Sequence, residues 1–254
     1  MNSNKEKQIL HAGFFAGEFG WQIMRWQAHL RHLSKKYKIV VGCEEQYKYL
    51  YEDFAEYFIF FDKIVESRNM WLANQQTYPI KANCLVPSKE ICLNDNLEQC
   101  FIKFGQKMST NTGLVLIHAR STNNLKTGYR NYDTSKFEEI VRKLNYLNFA
   151  SIGTIKDSDH IKGTKDFRGI NLKTLCNIMR NSKLLLSPSS GPAHLASLCG
   201  LTHIVWSGND VGVMKNEDRY LKKWNPLNTK CIFINSWQPS TDLIIKRVRE
   251  CLSQ

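Results

Sequence analysis

One short stretch of the chain holds four residues whose types and spacing suit the binding of an anionic group. They are Ser189, Ser190, Gly191 and His194. They follow the apolar run 184–186, and Pro192 suits the first turn of a helix because it lacks the N–H that would be unpaired there. A helix that begins directly after a strand directs its unpaired N–H groups and the positive end of its dipole at one point. The stretch predicts an anion site, although an ordinary connection between two parallel strands has the same spacing.

A second group of candidates lies in the polar, basic loop 119–132. Arg120, Lys126 and Arg130 fall within this single loop. Arginine binds phosphate oxygens through two parallel hydrogen bonds, and lysine binds them as a point charge. The three side chains could therefore converge on a diphosphate. A solvated surface loop of the same composition is the alternative.

Glu18 is the acidic residue whose position suits a general base. It lies in the glycine-flanked turn 16–21 after the first predicted strand, and α/β sheets carry their sites at the carboxyl ends of strands. Trp21 and Arg25 lie on the helix that follows, where they could line a pocket for an acceptor. The alternatives are a carboxylate that interacts with the helix dipole and side chains that only pack against the helix or cap it.

The octapeptide at 189–196, Ser-Ser-Gly-Pro-Ala-His-Leu-Ala, carries a resemblance to a known family. It resembles the donor-site signature of the heptosyltransferase-type glycosyltransferases, Asp-Ser-Gly-Pro-Met-His-Leu-Ala, with Ser189 in the place of the leading Asp. The context also matches, because an apolar strand precedes it and Gly200 and a further apolar strand follow it. The tripeptide His118-Ala-Arg120 is more faintly similar to the His-x-Arg motif of GDP-fucose fucosyltransferases.

The resemblance implies a compact GT-B architecture, in which two Rossmann-like domains with parallel sheets face a cleft. It also implies that Glu18, in the place of the acid of a Gly-Asp segment in the first loop, deprotonates the acceptor hydroxyl. The basic loop and the helix start at 191–194 would then hold the leaving nucleoside diphosphate. No catalytic metal is expected, and Asp157-Ser-Asp159, which spells a metal-binding motif of a different transferase class, is interpreted as a surface loop.

Strands and helices alternate along the chain, which predicts parallel sheets covered by helices. Strands are expected at 8–15, 38–43, 57–65, 114–118, 149–153, 184–186 and 202–206. Helices are expected at 21–35, 45–57, 135–144, 172–181, 192–198 and 237–252. Residues 66–112 give no clear assignment, and 107–113 is the expected linker. We therefore expect an N-terminal, acceptor-side domain at 1–112 and a C-terminal domain at 113–254 that binds the nucleotide sugar.

The formal net charge of +12 is concentrated in the second half of the chain. Residues 1–112 carry +2 and residues 113–254 carry +10. A basic half indicates an acidic partner, which a nucleoside diphosphate, an anionic membrane surface or nucleic acid would each satisfy. Eight scattered cysteines without a Cys-x-x-Cys pair, and a first stretch unlike a signal peptide, favour a cytoplasmic protein with reduced thiols.

The motifs and the resemblance together imply a metal-independent, inverting glycosyltransferase with a nucleoside-diphosphate sugar as co-substrate and no further cofactor. The expected acceptor is a hydroxyl group of a glycan or glycolipid, and peripheral contact with the inner face of a membrane is left open. Two other classes remain, an epimerase-like enzyme acting on nucleotide sugars and a basic nucleic-acid-binding protein. The second is not expected, because the basic residues do not alternate with aromatic residues in a pattern suited to stacking on bases.

Overall fold

The computed structural model describes residues 7–61, 84–122, 128–208 and 216–253 of the chain. Contacts between residues divide the chain into two units, Met1–Phe101 and Ile102–Gln254. Each unit contains one main sheet, and the described strand pairs of both main sheets are parallel. The predicted α/β fold with two parallel sheets is therefore confirmed.

The first unit is built around a four-stranded sheet. Its strands are β1 (Ile9–Ala12), β2 (Lys38–Cys43), β3 (Ala55–Phe60) and β4 (Cys84–Leu85). They lie in the order β3-β2-β1-β4, with Ile9 opposite Lys38 and His11 opposite Cys84. Residues 39–43 of β2 are all buried, as expected for a central strand of a parallel sheet that is covered on both faces.

A helix in three segments follows β1 and buries one apolar face. The segments are α1 (Phe19–Trp21), a π-helical segment (Gln22–Trp26) and α2 (Gln27–Leu33). Ile23, Trp26 and Leu30 are fully buried, as their spacing predicts. The helix predicted at 45–57 is only a 3-10 turn at Glu45–Leu50, because the chain enters β3 at Ala55. A short helix, α3 (Lys89–Leu93), lies in the segment that the sequence left unassigned.

The second unit is built around a six-stranded sheet. In chain order its strands are β5 (Leu114–Ile117), β6 (Ala119–Arg120), β7 (Asn148–Gly153), β8 (Ser158–Asp159), β9 (Lys165–Arg168), β10 (Leu184–Pro188), β11 (His203–Ser207) and β12 (Cys231–Asn235). Six of them lie in the order β12-β11-β10-β5-β7-β9. β6 and β8 form a separate antiparallel ribbon.

Four α-helices accompany the strands in the described part of the second unit. They are α4 (Thr134–Lys143), α5 (Leu172–Arg180), α6 (Gly191–Cys199) and α7 (Thr241–Leu252). Phe137 of α4 and Ile244 and Val248 of α7 share one buried cluster with Trp206 of β11. α5 packs against α6, and α6 packs against β10 and β11. None of the helices in the described part of the chain is both long and apolar enough to cross a membrane.

The start of α4 differs from the sequence prediction. The helix begins at Thr134, one residue before the predicted start at 135. Asp133 is the N-cap residue, and its carboxylate accepts a hydrogen bond from the Ser135 N–H at 2.9 Å. Aspartate and serine are both favoured at this position, so local sequence alone does not decide between them.

The boundary between the two units lies after Phe101, whereas the sequence prediction placed it between residues 112 and 113. Several residues of the second unit bond to residues 102–112, and one of them is Asn181, whose side chain is fully buried. Its amide oxygen accepts from the Met108 N–H at 2.7 Å, and its amide nitrogen donates to the Gln106 C=O at 2.8 Å. The Thr112 N–H also donates to the Asn181 C=O at 2.8 Å.

We expect Asn181→Ala to lower the free energy of unfolding by about 1–3 kcal/mol, because it removes two side-chain bonds to the 102–112 segment. Chemical denaturation measures the change, and limited proteolysis measures the opening of the segment. Asn145→Ala is the matched control, since Asn145 is exposed. Equal stability and equal cleavage of the two variants would contradict the role of Asn181.

Candidate active site

The carboxyl ends of the parallel strands in the second unit meet at one edge of the sheet, where α/β proteins carry their sites. His118 directly follows β5, and its backbone N–H donates to the Leu186 C=O of β10 at 3.0 Å. Pro188 at the end of β10 lies opposite Trp206 of β11. The sheet therefore brings the start of the basic loop to the turn that precedes α6.

The turn between β10 and α6 has the form that the sequence predicted. α6 begins at Gly191, and Gly200 ends it with a φ of +71°. Ser190 is the N-cap residue, yet its hydroxyl makes no capping hydrogen bond to the helix. The Ala193 and His194 N–H groups bond to the Ser190 C=O at 3.2 and 3.4 Å. The positive end of the helix is thus left without the side-chain cap that serine usually supplies.

His118 contacts this turn as a buried, neutral histidine. Its Nδ1 is 3.0 Å from Ser190 Oγ and 3.3 Å from Ser187 Oγ. Burial lowers the pKa of His118 to about 3, and the charge of Arg120 adds to the effect. The imidazole is therefore uncharged at neutral pH. In the sequence His118 stands out only within a resemblance motif, and no local signal indicates its contact with Ser190, which lies 72 residues further along the chain.

The Ser189 side chain is turned into the protein. It is 2% exposed, and its hydroxyl accepts a hydrogen bond from the Tyr220 hydroxyl. The Tyr220 ring stacks on the His194 ring with centroids 5.4 Å apart, and Trp224 packs edge-on against both rings. Burial raises the pKa of Tyr220, so its hydroxyl stays protonated and donates. Ser189 and His194 thus contact a π-helical segment (Arg219–Lys223), and no pattern in the sequence links this segment to the site.

Two of the three predicted cations lie in the described part of the basic loop. Arg120 donates through Nη1 to the Asn131 side-chain oxygen at 2.7 Å. The Arg130 guanidinium carbon lies 5.7 Å from the ring centroid of Tyr129 and 5.8 Å from that of Trp237. Arg130 Nε is buried and has no hydrogen-bond partner among the described residues. A buried guanidinium N–H without a partner is costly, and an acceptor on a ligand would satisfy it; Arg25 Nε and Arg247 Nε are in the same state.

Arg130 also lies within electrostatic reach of the turn before α6. Burial dominates the raised pKa of Tyr220, the hydrogen bond to Ser189 opposes it, and the charge of Arg130 opposes it as well. The charge of Arg130 therefore acts on the Tyr220 hydroxyl, which donates to Ser189. Lys126, the third predicted cation, lies outside the described residues.

The ribbon of β6 and β8 fixes the start of the basic loop. The Ser121 N–H donates to the Asp157 C=O at 2.9 Å, so the region predicted as a plain surface loop contains a strand that pairs with the site. Gly153 makes this approach possible, because a Cβ there would lie 2.5 Å from Ser158 Oγ and 2.9 Å from His118 Cδ2. In the described residues, His, Cys, Asp and Glu side chains form no group of three or more that could hold a metal ion.

The candidates of the first unit lie at the start of its first helix. Glu18 is exposed, and its C=O accepts a hydrogen bond from the Trp21 N–H at 3.0 Å. Arg25 is buried, forms an ion pair with Asp95 at 2.9 Å and donates to the Gln99 side-chain oxygen at 3.3 Å. The Glu18 carboxylate can be reached from solvent, whereas the Arg25 guanidinium already has partners within its own unit. The roles of Glu18, Trp21 and Arg25 stay predictions.

Comparison with solved structures defines the class of fold. A glycosyl transferase of family 9 from Veillonella parvula DSM 2008 matches with a TM-score of 0.64 and 11% identity, over 98% of this chain and 97% of that chain. The E. coli ADP-heptose lps heptosyltransferase II matches with a TM-score of 0.62 and 8% identity, over 96% and 99%. The E. coli heptosyltransferase WaaC with ADP matches with a TM-score of 0.56 and 10% identity, over 95% and 99%. No protein-family model matches the sequence, and neither does any curated protein sequence.

The fold is therefore the GT-B fold of glycosyltransferases. The three structures named above are two heptosyltransferases and a family 9 glycosyl transferase, so the predicted resemblance is confirmed at the level of the fold. The similarity covers nearly the whole of this chain and of the matched chains.

We expect the second unit to lose stability as the pH falls from 7.5 to 5. Burial lowers the pKa of His118 to about 3 and that of His203 to about 4. The unfolded chain protonates both rings below about pH 6.5, whereas the folded state keeps them neutral down to those lower values. Above pH 6.5 each neutral ring makes its full contribution to the free energy of unfolding. By pH 5 that free energy has fallen by about 2 kcal/mol for each ring.

His203→Phe tests this pH dependence, because it removes one titrating ring from the core. Urea denaturation at pH 7.5 and pH 5 should show a difference about 2 kcal/mol smaller for the variant than for the wild type. Any constant cost of the substitution cancels in that difference. An unchanged pH dependence would show that folded His203 binds its proton as readily as the unfolded chain does.

Proposed function

We propose that the chain is a metal-independent, inverting glycosyltransferase that transfers a sugar from a nucleoside-diphosphate sugar to a hydroxyl group of a glycan or glycolipid. The observation that carries the proposal is the start of α6, a helix end without a side-chain cap at the edge of the sheet where the basic loop begins. The buried Nε of Arg130 has no partner among the described residues. Both features favour an anionic ligand at this edge of the sheet.

The similar solved structures support a nucleoside diphosphate as that ligand. The E. coli heptosyltransferase WaaC was determined with ADP and with ADP-2-deoxy-2-fluoro heptose. The heptosyltransferase TibC was determined with ADP-D-beta-D-heptose. These proteins share the fold of this chain, and we infer that its α6 turn receives the diphosphate of a nucleotide sugar.

In the proposed donor complex the diphosphate lies at the start of α6. The Gly191 N–H and the helix dipole face it, and Arg120, Lys126 and Arg130 of the basic loop balance its charge. Fixed charges aimed at a group that becomes more negative in the transition state are the largest catalytic contribution expected of such a site. Because these cations stabilise the leaving group, the proposed mechanism contains no step that needs a metal ion.

The other predicted donor-site residues act through the shape of the turn. The Ser189 hydroxyl and the His194 ring both contact Tyr220, and the Ser190 hydroxyl contacts His118. These contacts hold the backbone that presents the Gly191 N–H. We therefore assign Ser189, Ser190 and His194 to positioning the donor rather than to the reacting atoms.

Glu18 is the proposed general base. Its carboxylate takes the proton of the acceptor hydroxyl, and the acceptor oxygen attacks the anomeric carbon from the face opposite the diphosphate. The bond between the anomeric carbon and the diphosphate oxygen breaks, and its electron pair leaves with the nucleoside diphosphate. A single displacement of this kind inverts the anomeric configuration. Trp21 and Arg25, on the same helix, are proposed to line the acceptor pocket.

We expect a substitution in the second unit to weaken binding of the nucleoside diphosphate, and a substitution in the first unit to slow sugar transfer. Arg130→Met removes a cation from the donor site and should raise the dissociation constant for the preferred nucleoside diphosphate at least tenfold, as measured by calorimetry. Glu18→Gln should leave that constant unchanged and lower the rate of sugar transfer by about 100-fold or more. The rate is measured with a panel of ADP-, GDP- and UDP-sugars and a glycolipid extract of the source cells.

Arg142→Met and Glu56→Gln are the matched controls, because both side chains are exposed on the same units. Near-wild-type transfer by Glu18→Gln would overturn the assigned base. An unchanged dissociation constant for Arg130→Met would remove Arg130 from the donor site. Turnover of a nucleotide sugar without any acceptor would instead support an epimerase-like enzyme.

A further inference from the structure

The turn before α6 contains a chain of short polar contacts that ends at His118. Ser187 Oγ is 2.7 Å from the Pro188 carbonyl oxygen and 2.9 Å from Ser190 Oγ. Ser190 Oγ is in turn 3.0 Å from His118 Nδ1. These three distances lie in the normal range for hydrogen bonds, so each of these contacts requires one proton. His118 Nδ1 also lies 3.3 Å from Ser187 Oγ, a longer contact that an Nδ1–H can share.

Counting protons fixes the direction of every bond in this chain. A carbonyl oxygen only accepts, so the Ser187 hydroxyl donates its single proton to Pro188. The Ser187 oxygen must then accept from the Ser190 hydroxyl. Ser190 has no second proton to donate to His118. The remaining contact, between Ser190 Oγ and His118 Nδ1, can only be a bond donated by the histidine. With the proton on Nε2 instead, one of the three contacts would have no proton at all.

Burial supports this assignment. It holds the pKa of His118 at about 3, so at neutral pH the ring carries one N–H and not two. The single proton of the ring therefore resides on Nδ1, and the tautomer follows from the hydrogen-bond network around it.

We propose that His118 is a positioning residue of the donor site: through its Nδ1–H it holds the Ser190 hydroxyl inside the turn, so that the end of α6 with the Gly191 N–H stays open to a diphosphate. The inference rests on the proposed function for the identity of the ligand. Its structural basis is independent of that function, because Ser190 occupies the N-cap position and makes no capping bond.

A serine at this position normally caps the helix itself. Its hydroxyl accepts a hydrogen bond from the N–H of the second or third helical residue. In α6 the second residue is Pro192, which has no N–H, so Ala193 is the partner that a released Ser190 hydroxyl would take. The Ala193 N–H already bonds to the Ser190 C=O at 3.2 Å, so the released hydroxyl would share that N–H. Its oxygen would then occupy the end of the helix that the ligand needs. Replacing His118 should therefore weaken diphosphate binding by closing the helix end and not by removing a contact with the ligand.

The first experiment determines the tautomer of His118 in the wild-type protein without any ligand. Nitrogen-15 shifts of the imidazole distinguish a protonated Nδ1 from a protonated Nε2. We expect the proton on Nδ1 at pH 7. A proton on Nε2 would overturn the proposal, whether or not the protein binds a nucleotide.

The second experiment measures the dissociation constants of ADP, GDP and UDP by calorimetry in two backgrounds. His118→Phe should weaken binding of the preferred diphosphate about five- to tenfold in the wild-type background, the size of a typical serine cap. In the Ser190→Ala background the same substitution should weaken it less than threefold, because no hydroxyl remains to close the helix. Equal losses in both backgrounds would overturn the proposal and leave His118 a purely structural residue.

Two further variants guard against a folding defect. His118→Asn places an amide N–H near the position of Nδ1 and should retain the affinity that His118→Phe loses; a loss equal to that of His118→Phe would overturn the proposal. His203→Phe is the matched control, since His203 is equally buried on the neighbouring strand β11 but its Nδ1 bonds to the Leu201 C=O.

If the wild type binds none of the three diphosphates, the proposed function fails, and the tautomer measurement still decides the role of His118 within the turn.

Discussion

The anchoring of β10 between two parallel neighbours is the constraint on which the rest of the site depends. Leu186 of β10 lies opposite Ile117 of β5, and Pro188 lies opposite Trp206 of β11, so the last residues of the strand are held on both sides. The Ser189 N–H continues this pattern by donating to the Trp206 C=O at 2.9 Å. The turn into α6 therefore starts from a rigid position, which a site built on fixed charges requires.

The basic loop depends on a different part of the chain. The Tyr132 hydroxyl donates to the Pro239 C=O at 2.9 Å, and the Gln238 side chain donates to the Asn131 C=O at 2.8 Å. Tyr132 also packs edge-on against Trp206, with ring centroids 5.1 Å apart, so the core under β11 supports the end of the loop as well. The segment before α7 thus holds Asn131. The side-chain oxygen of Asn131 in turn accepts a hydrogen bond from Arg120 Nη1 at 2.7 Å. Loop and turn are positioned by separate interactions that share one buried core.

Sequence patterns predicted the elements that neighbouring residues determine. They missed the elements and contacts that depend on residues far apart in the chain. The strand, turn and helix from 184 to 200 follow from an apolar run, a favoured N-terminal proline and a glycine C-cap, and all three are found in the structure. The contact of Ser189 with Tyr220 and that of Ser190 with His118 join residues 31 and 72 positions apart, and no single-chain pattern marks such pairs. The strand β8 was missed for the same reason, because its two residues become a strand only by pairing with β6.

The central claim is that the start of α6 receives the diphosphate of a nucleotide sugar, and the amide signal of Gly191 tests it most directly. Proton–nitrogen NMR spectra of the labelled protein are recorded while ADP, GDP and UDP are added in turn. The account predicts that one of them shifts the Gly191 amide strongly, because its N–H becomes a hydrogen-bond donor to phosphate, while the signal of Gly42 in β2 of the other unit stays in place. Saturable binding of a nucleoside diphosphate that leaves the Gly191 signal unchanged would contradict the account.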